Sequence, residues 1–460
     1  MTSTYLNDDT IAALSSGAGT AAIAVLRMSG PDAFEIADKI FLPYSTKPNQ
    51  VKVGVISDGE NKIDEAVCVF FNEPHSYTGE DTVEFSIHGN PLLITEVMNL
   101  LIQNGARVAL PGEFTFRSYT NGKRDLAQAE AVCAMIAGKT QSAAKAALNN
   151  MSGGFSNKIN HITDELKHLL TYLEAALDHP EDDIPELTQD EKAESIEILV
   201  TETQKLIDVY KVSRILQVGL KAVIVGKPNV GKSSLLNAVL GKNRAIVTEI
   251  PGTTTDTIEE TIDCKGVPLT IIDTAGIRDK KMNSIEILGQ EKAKEAAKGA
   301  DILIWLFDSS IPLGENDYQI ERALKDSNFK GKIFLILNKS DLPAKITKED
   351  IQYLAEGAEV LSISTSDKAS VDVLIENIAK TAGLLDNQED LLMINSRHWG
   401  LLNDAQKEFL EAKQIVLEQR DDEIVCLNLR TALKCFDEIL GTDTPFDVLD
   451  GIFSTFCIGK

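Results

Sequence analysis

The stretch Gly226-Lys227-Pro228-Asn229-Val230-Gly231-Lys232-Ser233 sets the reading of everything around it. The apolar run Ala222-Val223-Ile224-Val225 precedes it, and Ser234-Leu235-Leu236-Asn237-Ala238-Val239-Leu240 follows. A strand, a glycine-rich turn and an amphipathic helix are expected, the context that the pattern GxxxxGK[ST] requires. Backbone N–H groups of such a loop and of the helix N-terminus present partial positive charge to a polyphosphate. Lys232 can reach the outer phosphates, and the Ser233 hydroxyl can ligate Mg²⁺. The stretch is expected to bind a nucleoside triphosphate.

Three further signals follow in order. Leu269-Thr270-Ile271-Ile272-Asp273-Thr274-Ala275-Gly276 reads as a strand delivering Asp273 to the Mg²⁺ hydration shell and the Gly276 amide to the γ-phosphate. Asn338-Lys339-Ser340-Asp341 follows the strand Lys332 to Leu337. The Asp341 carboxylate would accept from N1–H and the 2-amino group of guanine, donors that adenine lacks. Ser362-Ile363-Ser364-Thr365 is a weaker base-contacting loop, with Ser364 as its contact residue. Between the first two signals lies Thr248-Glu249-Ile250-Pro251-Gly252-Thr253-Thr254-Thr255-Asp256, where Thr254 is the candidate to join Mg²⁺ when GTP is bound. The expected nucleotide set is therefore Asn229 to Ser234, Thr248 to Thr254 (with Glu249, Ile250, Pro251, Gly252 and Thr253), Asp273, Thr274, Ala275, Gly276, Asn338, Lys339, Asp341 and Ser364. Together these signals resemble the translation-factor class of GTPases.

Ile277 stands where many small GTPases place a Gln to orient the attacking water. An isoleucine cannot do this, so water activation and charge neutralisation must come from elsewhere. The side-chain oxygen of Asn229 could hold a monovalent cation beside the phosphates, offsetting developing charge as an arginine finger does. A turn-stabilising role is the alternative for this asparagine.

The rest of the chain frames this unit. At 460 residues it has room for two to four domains. Its 43% hydrophobic and 25% charged composition is that of a globular protein. No run of 18 apolar residues occurs, so no spanning helix is expected, and an N-terminus without a basic residue before Arg27 does not read as a signal peptide. Six scattered cysteines without a CxxC pair fit a reducing cytoplasm. A net charge of −25 argues against broad, nonspecific binding to nucleic-acid backbone.

Residues 1–123 mix strands (23–26, 65–71, 82–88), turns and a helix from Pro91 to Asn104, an α/β or α+β domain. From Leu126 a helical tract rich in Ala, Leu, Glu and Lys begins; Gly153-Gly154 is expected to interrupt it and the acidic segment Asp178 to Pro185 to break it, with helix resuming over 188–217. Residues 220–383 alternate strands (222–225, 269–272, 301–307, 332–337, 359–363) with helices, a mainly parallel sheet. Helical texture returns over 384–460. The α/β unit thus reads as inserted into a helical domain made from 124–219 and 384–460.

With both ends of the chain considered, the sequence resembles the MnmE (TrmE) family of tRNA-modification GTPases. The matching stretches include Val25-Leu26-Arg27-Met28-Ser29-Gly30, Ser76-Tyr77-Thr78-Gly79-Glu80-Asp81, Pro111-Gly112-Glu113-Phe114, Leu126-Ala127-Gln128-Ala129-Glu130-Ala131 and the terminal Phe456-Cys457-Ile458-Gly459-Lys460. The resemblance implies a multidomain α/β protein: an N-terminal α+β domain that binds folate and dimerises, a discontinuous helical domain, and an inserted Ras-like P-loop GTPase domain. It implies hydrolysis activated when two G domains meet with K⁺ at the interface. Asn229, Thr248, Ile250 and Thr253 would then surround K⁺, Ser233 and Thr254 would bind Mg²⁺, and Glu286 would polarise the water. Folate contacts (to a 5-formyl or 5,10-methylene tetrahydrofolate) map onto Arg27, Glu84, Lys123 and Lys460. The resemblance further implies a cytoplasmic homodimer acting on tRNA with the flavoprotein MnmG, in a heterotetramer or larger assembly, at C5 of wobble uridine U34. Cys457 is a candidate thiol near that chemistry, or an inert one. Thr255 and Leu110 stand where many members have Arg. A ribosome-assembly GTPase switch without folate chemistry is the competing expectation; such proteins usually append a basic RNA-binding module, and the sequence shows none.

Overall fold

The computed structural model describes residues 5, 8–43, 50–178, 187–241, 259–273, 299–327, 329–383 and 391–460. The chain divides into two compact units, one of residues 1–133, 150–205 and 397–460, the other of 134–149 and 206–396. The helices Leu126–Ala137, Gln141–Met151 and Gln189–Val218 each contribute residues to both.

The first unit holds a seven-stranded sheet: β1 (Ile11–Leu14), β2 (Ile23–Ser29), β3 (Phe41–Leu42), β4 (Val51–Ser57), β5 (Lys62–Phe71), β6 (Thr82–His88) and β7 (Arg107–Val108), in the order β3-β4-β5-β6-β2-β1-β7. All neighbours are antiparallel except β1 and β7. Side chains alternate faces along a strand. Ala24, Leu26 and Met28 of β2 and Val83, Phe85 and Ile87 of β6 enter a core shared with the helices Ala33–Ile40 and Pro91–Gln103. The intervening residues, Arg27 and Ser29 and Glu84 and Ser86, fall on the other face. The sequence reading overlooked β1 and β4. Ile-Ala-Ala-Leu carries no period, but Val51-Lys52-Val53-Gly54-Val55 alternates and could have been found. The remainder of this unit is helical, with the long helix Gly154–Asp178 beginning after Gly153 (φ 91°), where an interruption was expected.

The second unit carries β8 (Leu220–Val225), β9 (Glu259–Cys264), β10 (Val267–Asp273), β11 (Ile302–Asp308), β12 (Lys332–Asn338) and β13 (Glu359–Ser362), in the order β13-β12-β11-β8-β10-β9. The first five in that order are parallel, and β9 is antiparallel to β10. Ile302 to Phe307 are buried throughout, the run expected of a strand covered on both faces. One face packs against the helices Lys232–Leu240 and Lys368–Thr381 and against Ala143, Ala146 and Ala147. The other packs against Ile320, Leu324 and Ile351. β9 was not expected, because only Ile262 and Cys264 of its six residues are apolar. Lys265 (φ 49°) and Gly266 (φ 94°) form its two-residue hairpin turn, whose two positive φ angles match the right-handed twist of the strands. The helical tract expected from Leu126 also breaks before Gln141. There the Thr140 hydroxyl accepts from the Ala143 N–H (3.2 Å) and donates to the Gly266 carbonyl (2.8 Å).

Candidate functional site

In a parallel sheet the loops after the strands converge at one edge. Here Gly226 follows β8, Asp273 ends β10, Asn338 ends β12, and Ser364 lies two residues beyond β13. Asp273 pairs in register with Ile224, just before the phosphate loop.

Backbone conformations that few residues tolerate build that loop. Gly226 (φ 152°) and Gly231 (φ 102°) flank Asn229, itself left-handed at φ 64°. A Cβ at Gly226 would lie 2.6 Å from the Leu306 carbonyl oxygen, and one at Gly231 would fall on Asn338 Nδ2. Lys232 opens its helix, and its ammonium donates to the Gly226 (2.7 Å) and Lys227 (2.9 Å) carbonyls. Val230 is buried, while Asn229, Ser233 and Ser234 are exposed to solvent.

Asn338 is fully buried and acts as a staple. Its Nδ2 donates to the Val230 carbonyl (2.7 Å) and its Oδ1 accepts from Thr365 N–H (3.3 Å), tying the phosphate loop to the loop after β13. The Asp341 carboxylate is exposed and accepts from the Ser364 hydroxyl at 2.7 Å, which holds one oxygen and leaves the other for a ligand. Lys339 (φ 60°) pairs with Asp308 at 2.6 Å. Burial works against the ionised Asp308, yet Lys339 and Ser310 hold its carboxyl below the usual range. Asn229 to Ser234, Asn338, Lys339, Asp341 and Ser364 therefore surround one sheet edge. Thr248, Glu249, Ile250, Pro251, Gly252, Thr253, Thr254, Thr274, Ala275, Gly276 and Glu286 lie outside the described residues.

The first unit has a polar cluster on the face of its sheet opposite the main core. Arg27 and Glu84 are direct cross-strand partners, and Arg27 Nε donates to Glu84 Oε1 at 2.7 Å. The Arg27 guanidinium lies 4.8 Å from the Tyr77 ring centroid and 5.7 Å from that of Phe114. Its Nη1 is buried and has no hydrogen-bond partner. Arg124 covers the Tyr77 ring at 4.5 Å, and the Tyr77 hydroxyl meets Thr115 at 3.0 Å. Nothing in the sequence around Tyr77, Phe114 and Arg124 marks this role. Lys123 donates to the Pro74 carbonyl at 2.8 Å and packs beside Gly79.

The C-terminal tail reaches this cluster's edge. The Gly459 carbonyl accepts from the Ser15 hydroxyl at 3.1 Å, so Lys460 follows directly beside the end of β1, where Ala13 is the register partner of Arg27. Cys457 is exposed and its carbonyl accepts from Gly112 N–H at 3.3 Å. Gly112 (φ 70°) is needed there, since a Cβ would lie 2.6 Å from the Phe453 carbonyl oxygen. The Pro111-Gly112 and terminal motifs are thus two halves of one contact, and Leu110 packs with Phe116, Phe453 and Phe456. Burial pushes the thiol of nearby Cys133 up, with Cys457 adding to the effect.

A second, largely buried ion cluster joins the helices Leu126–Ala137 and Ser396–Leu417. Glu130 accepts from Arg397 (2.6 Å) and His398 (2.7 Å). Burial alone would raise the Glu130 carboxyl, but these two partners hold it down to about 2. Among the described residues no helix is long and apolar enough to cross a membrane.

The parallel sheet, phosphate loop, Asn338 staple and exposed Asp341 define a P-loop GTPase. A family model described as "GTP-binding protein TrmE N-terminus" matches residues 10–123, and one described as "MnmE helical domain" matches residues 126–457. A tRNA modification GTPase MnmE of Endomicrobium trichonymphae is 51% identical, covering 99% of this chain and 100% of that one. Those of Clostridioides difficile and Aquifex aeolicus are 40% and 39% identical, each over 98% of this chain and 99% of theirs. The chain belongs to the MnmE family of tRNA modification GTPases.

Proposed function

We propose that the chain is a Mg²⁺- and K⁺-dependent GTP hydrolase that works as a homodimer in tRNA modification. With the flavoprotein MnmG, in a heterotetramer or larger assembly in the cytoplasm, it installs an aminomethyl-type group at C5 of wobble uridine U34. A tetrahydrofolate, as the 5-formyl or 5,10-methylene form, supplies the one-carbon unit. Residues 1–123 are the folate-binding and dimerisation domain, 124–219 and 384–460 the helical domain, and 220–383 the GTPase domain.

At the nucleotide edge, Lys232 and the loop amides hold the phosphates, Asp341 reads guanine, and Ser233 with Thr254 ligates Mg²⁺. Asn229 supports the K⁺ reading by its placement: an exposed side chain on a left-handed residue inside the phosphate loop. Thr248, Ile250 and Thr253 complete that K⁺ set, and Glu286 polarises the water. When bound, K⁺ supplies positive charge beside the phosphates, as an arginine finger does. The nucleotide-driven closing of two G domains organises the modification site, a gating role.

The observation that carries the folate reading is Arg27. A guanidinium stacked on an aromatic ring, paired on one edge with Glu84 and left with a buried, unpartnered Nη1, fits a planar ligand with acceptor atoms. Glu84 suits an amino-pyrimidine edge, and Lys123 and Lys460 suit the carboxylates of the glutamate tail. Titrating 5-formyl-tetrahydrofolate tests this; absence of saturable binding overturns it. The cation reading is tested by GTP hydrolysis in KCl against NaCl, for wild type and Asn229→Ala. Wild type should be much faster in KCl and the variant should lose that difference; equal wild-type rates in the two salts overturn the reading.

A further inference from the structure

The stretch from the last residue of β11 to the first turn of the helix Glu315–Ser327 belongs to no nucleotide motif, yet it holds both ends of the nucleotide site. At its start, Asp308 accepts from Lys339 Nζ at 2.6 Å. Ser309 reinforces this contact: its hydroxyl donates to the Lys339 carbonyl (3.1 Å) and its N–H to the Asn338 carbonyl (2.9 Å). At its end, Asp317 Oδ2 accepts from Lys227 Nζ at 2.9 Å and from the Gly314 N–H at 2.9 Å.

Asp317 is fully buried, and its second oxygen, Oδ1, has no hydrogen-bond partner. Closing the first turn of its helix needs only the Gly314 contact, which a neutral side chain could make. A buried carboxylate with one oxygen unsatisfied is costly, and its ion pair compensates only part of that cost. What the charge adds here is a grip on Lys227. The Lys227 carbonyl in turn accepts from the Lys232 ammonium. Asp317 therefore reaches Lys232 through the side chain and then the backbone of one phosphate-loop residue.

We infer that Asp308 and Asp317 are positioning residues for the nucleotide: Asp317 sets the phosphate loop through Lys227, and Asp308 sets the base loop through Lys339. The inference rests on reading 226–233 as the phosphate loop and 338–341 as the base loop. Neither aspartate belongs to a nucleotide motif. Both act before the nucleotide arrives, by fixing the groups that will hold it.

The two arms predict different losses in the full chain, read as Kd for GTP and for ITP by competition with a fluorescent GDP analogue. Asp317→Asn should raise both Kd values about tenfold, the worth of one charge-assisted contact. It should leave the GTP-over-ITP ratio within about twofold, because the phosphates are common to both. Asp308→Asn should lower that ratio by about threefold or more, since it loosens the loop carrying Asp341. Lys227→Met leaves the Asp317–Gly314 contact intact and should reproduce the Asp317→Asn loss, while the double variant should be no weaker than the worse single one. Thermal melts of the nucleotide-free variants show that each is folded. Kd values for Asp317→Asn and Lys227→Met within twofold of wild type, or additive losses in the double variant, overturn the inference. Lys232→Ala is the separate control. If it binds GTP as wild type does, the assignment of the phosphate loop fails, whatever the aspartate variants do.

Discussion

The nucleotide edge and the Arg27 cluster are built in opposite ways. At the nucleotide edge the backbone leads: Gly226, Asn229 and Gly231 hold positive φ, and the loops that matter all leave the same end of parallel strands. In the Arg27 cluster the side chains lead. Arg27 and Glu84 meet because β2 and β6 are antiparallel neighbours in one register, 57 residues apart in sequence. A backbone-led site tolerates little change in the main chain and reads as a contiguous motif. A side-chain-led site depends on strand register, and a one-residue slip of either strand would turn that strand's charge into the core and break the pair.

The sharpest way to break the comparison is at Gly226. Gly226→Ala places a methyl group against the Leu306 carbonyl at a φ of 152°. This should cost on the order of 4 kcal/mol, from backbone strain and overlap together, and abolish nucleotide binding. Calorimetric melting and fluorescent-GDP binding measure the two effects. If binding survives, the loop is more plastic than its geometry implies.

Side-chain leadership recurs at Glu130, which holds Arg397 from 267 residues away. Its carboxyl sits at about 2, below the ordinary value of 4.5. The ionised form is therefore favoured by folding, by about 3 kcal/mol. The sign follows from the depressed value: this stability is fully present above the unfolded carboxyl's pKa and is lost as pH falls toward about 2. Glu130→Gln should be about 3 kcal/mol less stable than wild type at pH 6, and the gap should close between pH 4.5 and about 2. Urea melts across that range check it, and a gap independent of pH would remove the charge from the explanation.

Arg27→Ala is the corresponding test at the first cluster. It should weaken the proposed folate binding about 100-fold, since it removes a charge-assisted donor and a stacked cation together. The loss is measured by calorimetric titration, and a smaller loss than in Lys123→Ala would move the centre of that site toward the exposed rim.

The same contrast explains what the sequence disclosed. Lys232, Ser233, Asn338 and Asp341 were legible because a backbone-led site keeps its residues in short runs after apolar strands. The matched relatives place the family, but the folate contacts proposed for Arg27 and Glu84 rest on resemblance, because register is not written as spacing. Tyr77 and Phe114 carry no local sign of their place beside Arg27 for the same reason. Asp308 and Asp317 lie between motifs and pair with Lys339 and Lys227 across the sheet edge, so no local pattern marks them. β9 was lost to its own composition, since Glu259-Glu260-Thr261 gives no apolar period, although Lys265-Gly266 carried the turn.

The smallest effect compares one helix cap from each unit. Asp367 caps the helix Lys368–Thr381, accepting from Ala369 and Ser370 N–H at 3.1 Å each, and Asn90 caps Pro91–Gln103, accepting from Leu92 N–H at 3.0 Å. Removing either cap with alanine should cost about 1 kcal/mol. The consequences differ. The Ser370 hydroxyl donates to the Ser364 carbonyl and accepts from its N–H, so fraying the first turn after Asp367 loosens the residue that holds Asp341. Asp367→Ala should therefore also weaken GTP binding by about threefold, whereas Asn90→Ala should register only in the melt. Equal GTP affinity in the two variants would mean that Ser364 is held by its own loop and owes nothing to the helix behind it.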